Sequence, residues 1–148
     1  MKIVYISFVR SQLEQSATVW HSSITDENSQ DLERVQKTAV KIILGNKYDT
    51  YLKSLRKLDL EPLDERRENL CLNFAIKCTK NNRMKYMFPQ NEKVHVMETR
   101  DTPKFKVQFA NKERLRKSAI IHMQNLLNKN ENLIENKISN KNNADEKY

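Results

Sequence analysis

Glycine is scarce: one glycine, Gly45, stands in 148 residues, alongside three prolines. Strand-rich folds draw on both residues for their turns, so the scarcity predicts helices. A single glycine also excludes a glycine-rich phosphate loop, which needs several. Two cysteines are present, Cys71 and Cys78. Two turns of one helix hold them about 10 Å apart, too far for a disulfide. Both are expected as buried thiols in a reducing compartment. His21, His95 and His122 are isolated and lack Cys/His ligand spacing, so no metal site is expected. No serine or cysteine occupies a nucleophile elbow, and no aspartate pair has a context that would hold two divalent ions. The expectation is a chain that is not an enzyme and takes no cofactor. Long apolar runs are missing too. The opening MKIVYISFVR ends at Arg10 without a small-residue cleavage site and is too short to span a membrane. No N-x-S/T acceptor occurs, which agrees with an intracellular product, cytoplasmic or nuclear.

What is present is charge. Lys and Arg outnumber Asp and Glu 27 to 19, a formal net charge of +8. A basic balance points to nucleic acid or an anionic surface as partner, without setting the fold. Most of the excess falls between residues 81 and 127, where ten cations face four carboxylates. Tyr86, Phe88, Phe105 and Phe109 are interleaved with those cations, and cations with aromatics can hold phosphates and stack bases. The same aromatics could instead anchor extended segments to helices, the reading favoured for Phe105 and Phe109. Within this region Lys112, Arg114, Arg116 and Lys117 form the densest cluster.

The clearest element is Thr25 to Gly45. Leu32, Val35, Ala39, Ile42 and Ile43 recur at three and four and predict one apolar helix face. Arg34, Lys37 and Lys41 fall on a different face. Such a basic stripe is most often a solvated outer surface; it can also meet phosphates. Thr25 is the expected N-cap and Gly45 the expected C-cap.

Around this helix the pattern predicts a mainly α protein of about five helices. Met1 to His21 is a first helix with the stripe Ile6, Val9, Leu13, Ala17 and Trp20, widened by Val4, Phe8 and Val19. It is apolar enough to want cover on two sides. Tyr48 to Leu60 is a short helix with the stripe Tyr48, Leu52 and Leu55, joined by Tyr51 and Leu58, and with Asp49 as candidate N-cap. Leu63 to Lys80 follows Pro62, with Leu63, Leu70, Phe74 and Cys78 on one face, Cys71 and Ala75 beside them, and Arg66 and Arg67 in local surface ion pairs. Met84 to Phe88 can add one more turn. Alternation across Val94 and Val96, and again across Phe105, Val107 and Phe109, suggests two extended segments near residues 93–109 that could pair as a short two-stranded β element. Asn111 can cap a last helix to about Asn128. The Asn/Lys-rich remainder is expected to be a disordered C-terminal tail. The expected divisions are 1–89, 90–127 and 128–148.

A resemblance adds to this reading. The succession Tyr5, Phe8-Val9-Arg10-Ser11, Leu13-Glu14, Val19-Trp20 and Leu32-Glu33-Arg34-Val35-Gln36 is similar to the region just after the palm of non-LTR (LINE-type) retrotransposon reverse transcriptases. It resembles most closely the jockey-like and RTE/CR1-like elements. The similarity runs on through Ile42-Ile43, Gly45, Tyr51-Leu52, Leu55, Leu58, Leu60, Leu63 and Arg66-Arg67, and more weakly from Met87-Phe88-Pro89 to Leu127. The chain departs from the family at Gln15, where many relatives carry an aromatic. It departs again at Gln124-Asn125-Leu126-Leu127-Asn128, where many have a Trp-Asn-x-Leu-Pro-like motif. The resemblance implies that the first helices correspond to a polymerase thumb that grips the template–primer duplex. It also implies that fingers and palm are missing, with the palm's Tyr/Phe-x-Asp-Asp motif. The expectation is a truncated reverse-transcriptase fragment, inactive alone, that binds RNA/DNA duplex non-specifically through Arg34, Lys37, Lys41, Lys112, Arg114, Arg116 and Lys117. The alternative is an interaction module, or a remnant without function, that self-associates through its apolar first helix.

Overall fold

A computed structural model of the protein describes residues 1–91 and 103–130. The protein is mainly α-helical, and the described residues contain no strand. In chain order the α-helices are α1 (Lys2–Val4), α2 (Ser11–Leu13), α3 (Ala17–Trp20), α4 (Asp26–Leu44), α5 (Tyr51–Leu58), α6 (Leu63–Lys80), α7 (Glu113–Arg116) and α8 (Ala119–Lys129). A π-helical turn, Tyr5–Arg10, joins α1 to α2. The chain divides into two compact units, Met1–Cys71 and Leu72–Tyr148, so the division falls inside α6 and the change of sequence character at Gln90 lies within the second unit. Among the described residues no helix is long and apolar enough to cross a membrane.

The first helix is not continuous to His21. It breaks at Ser16, whose φ of 53° is left-handed, a conformation that costs a residue with a Cβ about 1–2 kcal/mol. Trp20 Nε1 donates to the Gln15 carbonyl at 2.7 Å and so stabilises the break. The break also lets the Glu14 carboxylate meet Arg66 Nε at 2.5 Å and Arg10 Nε at 3.7 Å. The buried members of this segment are Tyr5 and Ala17. Val4, Phe8, Val9 and Val19 are exposed, Phe8 by 72%.

Helix α4 begins where its cap residue predicts. Thr25 Oγ1 accepts from the Asn28 N–H at 3.2 Å, and Gly45 takes the positive φ at the other end. Its buried face is turned from the expected one. Gln36 and Val40 are the buried residues, while Val35 and Ile42 are exposed. The cause is Gln36, a polar residue that the apolar count left out and that faces inward because its amide is fully used. The core of the first unit gathers Tyr5, Val40, Leu55 and Leu60, with Ile43, Leu44, Tyr48 and Leu58 packed against it.

Helix α5 is shorter than Tyr48 to Leu60. Thr50, not Asp49, is its N-cap; the Asp49 carboxylate takes Lys53 Nζ at 3.2 Å instead. Asp59, at φ 51° and ψ 56°, ends it in the left-handed region. Leu52, expected on the inner stripe, is exposed, and Ser54 is buried beside Leu55.

Helix α6 has the expected span, and its inner stripe differs from the expected one by gaining Arg67 and losing Phe74. Leu63, Arg67, Cys71, Ala75 and Cys78 are buried, and Phe74 is partly exposed. Arg67 is no surface partner: it is 0% exposed. Its Nη2 donates to Ser29 Oγ at 2.8 Å and Asp64 Oδ1 at 3.3 Å, its Nε to His21 Nδ1 at 3.4 Å. Its guanidinium lies 5.7 Å from the Trp20 ring centre, a cation–π contact strengthened by desolvation.

In the second unit, Lys85–Met87 forms a 3-10 turn. Of the two extended segments expected near 93–109, the first falls in residues 92–102, outside the described set; in the second, Phe105 makes an antiparallel bridge with Gln90. Phe105 is buried as expected, and Phe109 is 84% exposed. The last helix is two pieces, α7 and α8, starting from Lys112 and Ser118 without side-chain caps, so Asn111 is not a cap. Asn128, expected to open the tail, sits inside α8. The tail from 131 on is outside the described residues.

Candidate nucleic-acid interface

The block Leu32-Glu33-Arg34-Val35-Gln36 alternates between two jobs because successive residues on a helix point 100° apart. Glu33 and Gln36 turn inward. The Tyr5 hydroxyl donates to Gln36 Oε1 at 2.6 Å, and Gln36 Nε2 donates to the Tyr51 hydroxyl at 3.0 Å and the Glu61 carbonyl at 2.9 Å. Tyr51 in turn donates a short hydrogen bond to Glu33 Oε1. Glu33 Oε2 accepts the Leu63 N–H, the first amide of α6, at 3.0 Å. A carboxylate at a helix start satisfies a free donor and meets the positive end of the helix dipole. Burial pushes the Tyr5 phenol up to about 12. It raises Tyr51 as well, helped by the hydrogen bond to Glu33.

Arg34, Lys37 and Lys41 turn outward, and all three are exposed. Arg34 Nη1 lies 2.6 Å from Asp31 Oδ1, with both side chains more than half exposed; such a pair contributes about 0–1 kcal/mol and yields to a competing anion. Lys41 Nζ stands 5.5 Å from the centre of the Tyr48 ring. The stripe is thus one row of cations along a regular helix, beside the network that Glu33 and Gln36 make.

The second predicted cluster is exposed throughout: Lys112, Arg114, Arg116 and Lys117 all face solvent. Glu113 sits among them, 3.5 Å from Arg116 Nη1 and 3.5 Å from Lys117 Nζ, and offsets part of their charge. The aromatics of this unit divide by role. Phe88 and Phe105 are buried, while Tyr86 and Phe109 are exposed. Tyr86 borders a cleft of about 360 Å³ shared with Lys106, Gln108 and Gln124. Gln124 is itself fixed there, its Oε1 accepting the Gln108 N–H at 3.0 Å and its Nε2 donating to the Met87 carbonyl at 2.8 Å.

Four cations outside the predicted set, Lys2, Arg10, Arg56 and Arg66, border one cavity of the first unit. Three separate segments supply them, and only the spacing of four between Lys2, Ile6 and Arg10 signals them in the sequence. Among the described residues no group of three or more His, Cys, Asp or Glu side chains is arranged to hold a metal ion. Cys71 and Cys78 are buried free thiols. Burial pushes Cys71 up to about 11 and raises Cys78 too, so neither has thiolate character at neutral pH.

No protein-family model, curated protein or solved structure matches this chain.

Proposed function

We propose that this chain is a helical nucleic-acid-binding module of the kind found downstream of the palm in non-LTR retrotransposon reverse transcriptases. It contacts the phosphate backbone of an RNA/DNA duplex without reading sequence and without catalysing a reaction of its own. The observation that carries this reading is the exposed row Arg34, Lys37 and Lys41, set on a helix whose other face is committed to the core. The exposed cluster from Lys112 to Lys117 supports it independently in the second unit. The compartment that fits is the cytoplasm or nucleus, where such duplexes occur.

The test is binding of a labelled RNA/DNA hybrid, followed by fluorescence anisotropy over a series of salt concentrations. Phosphate contacts release counterions, so affinity should fall steeply with salt. Replacing Arg34, Lys37 and Lys41 together by Glu should weaken binding and reduce the slope of log affinity against log salt by about 3, one for each lost contact. An affinity that ignores salt, or survives the triple change, removes the proposal.

A second reading has its own support. Ile3, Val4 and Phe8 are exposed on one short segment, and a contiguous apolar patch marks an association surface. Here the occupant would be a second copy of the chain. Light scattering over a concentration range reads it: self-association abolished by Phe8→Ser would favour this reading, and a monomer at all concentrations would end it.

A further inference from the structure

The first unit contains a cavity of about 500 Å³ whose polar lining is Lys2, Arg10, Arg56, Asp59, Glu61 and Arg66. Each comes from a defined place. Lys2 and Arg10 stand on either side of Ile6 at spacings of four along the segment that contains the π-helical turn, and residues four apart share a helix face. Turns of this kind recur at functional sites. Arg56 lies in the last turn of α5, and Asp59 is its left-handed cap. Arg66 lies in the first turn of α6.

The charges do not cancel among themselves. Among the described residues, neither Lys2 nor Arg56 has an ion-pair partner. Arg10 and Arg66 share one carboxylate, Glu14, and each approaches it through Nε. The forked Nη donors of both guanidinium groups are not needed for that contact, and a fork of this kind matches a phosphate. Asp59 and Glu61 also line the cavity and, among the described residues, have no cation partner; carboxylates accept hydrogen bonds and have none to donate. A ligand that satisfies both sets is an anion on a scaffold of hydroxyl or amine donors. Ile6 and Leu60 give the cavity an apolar wall, and its volume falls within the range of small-molecule sites.

We propose that this cavity binds a phosphate monoester carried on a ribose, the chemistry shared by a free nucleoside monophosphate and the phosphorylated end of a nucleic-acid strand. Lys2, Arg10, Arg56 and Arg66 hold the phosphate, and Asp59 and Glu61 accept from the sugar hydroxyls or the base amine. The site uses none of the residues of the Arg34–Lys41 row, so the two proposals fail separately.

The experiment is isothermal titration of the full chain with AMP, with adenosine, and with a dinucleotide bearing either a 5′-phosphate or a 5′-hydroxyl. Lys2→Ala and Arg56→Ala are the reporting variants. Neither side chain has an ion-pair partner among the described residues, and circular dichroism verifies that helix content is kept. The expected result is binding of AMP or of the 5′-phosphorylated dinucleotide that adenosine and the 5′-hydroxyl form do not reproduce. It should weaken about tenfold in each variant, the loss of one charge-assisted hydrogen bond. AMP binding identifies the free nucleotide as the source; binding confined to the phosphorylated dinucleotide identifies a strand end. Asp59→Asn, which keeps a residue tolerant of the left-handed region, should weaken AMP several-fold while inorganic phosphate binds no less well. Failure of both phosphorylated ligands to bind, equal binding of adenosine, or affinity unchanged in Lys2→Ala and Arg56→Ala would each overturn the proposal. The triple Glu variant of the Arg34–Lys41 row should leave AMP binding intact, which separates this site from the duplex-binding row.

Discussion

Each unit of this protein is fastened by a buried glutamine, and the two fastenings differ in what they hold. Gln36 in the first unit joins side chains: two tyrosine hydroxyls, with one carbonyl as third partner. Gln124 in the second unit joins only backbone, the Gln108 amide and the Met87 carbonyl. One turn further along α8, Asn128 adds to this. Its Oδ1 accepts the Phe105 N–H and its Nδ2 donates to the Phe105 carbonyl, both at 2.9 Å. The opposite edge of the same segment pairs with backbone, Lys106 N–H to the Pro89 carbonyl and Asn91 N–H to the Lys104 carbonyl. The second unit thus builds an extended segment with a chain on one side and helix side chains acting as the missing strand on the other. The first unit links ionisable side chains, so its fastening answers to pH; amide-to-backbone bonds do not titrate.

Four measurements would break or sharpen this contrast. The largest effect is expected from Gln36→Leu. It strands the Tyr5 hydroxyl and the Glu61 carbonyl, and each buried group left without a partner costs about 1–3 kcal/mol. Urea unfolding should show the loss, and adding Tyr5→Phe should restore part of it, because one stranded donor is then gone. Asn128→Leu comes next. It orphans both polar groups of Phe105, at about 1–3 kcal/mol each where water cannot replace the amide, and partial exposure of Asn128 places the net loss below that of Gln36→Leu. Hydrogen exchange should quicken at Phe105 and Gln108.

The third is alkaline titration of the thermal midpoint. Below about pH 9 the Cys71 thiol and Tyr5 phenol keep their protons in both the folded and the unfolded chain. As pH rises the unfolded groups ionise first, near 9 and 10, while the folded ones hold their protons to about 11 and about 12. The unfolded state then binds fewer protons, so stability falls from pH 9 to 12. Tyr5→Phe should flatten the upper part of that fall, and Gln124→Leu should leave its shape unchanged. The smallest effect is expected from Val35→Ser and Ile42→Ser, at exposed apolar positions of α4. Each should move stability by less than about 0.5 kcal/mol, whereas a buried valine such as Val40 would not tolerate the change.

These residues also show where the sequence is legible. The spans of α4 and α6 follow from capping, proline and periodicity, which are local. The exposure of Arg34, Lys37, Lys41 and the Lys112–Lys117 cluster follows from charge. Which face turns inward does not, because periodicity counts apolar residues, and the inward side of α4 is set by Gln36 and that of α6 by Arg67. Both are polar side chains whose partners lie far along the chain: Tyr5 and Glu61 for Gln36, His21 and Ser29 for Arg67. The cavity bordered by Lys2, Arg10, Arg56 and Arg66 was hidden for the same reason. Ser16 is a left-handed residue that any pattern of helix formers would pass over.

Glu33 makes the start of α6 depend on α4. The amide that opens α6 is satisfied by a carboxylate thirty residues earlier, and Pro62, just before it, has no N–H to contribute. Helix α6 therefore closes its first turn against α4 rather than alone. A peptide of residues 63–80 should fray at its start, and the full chain should not.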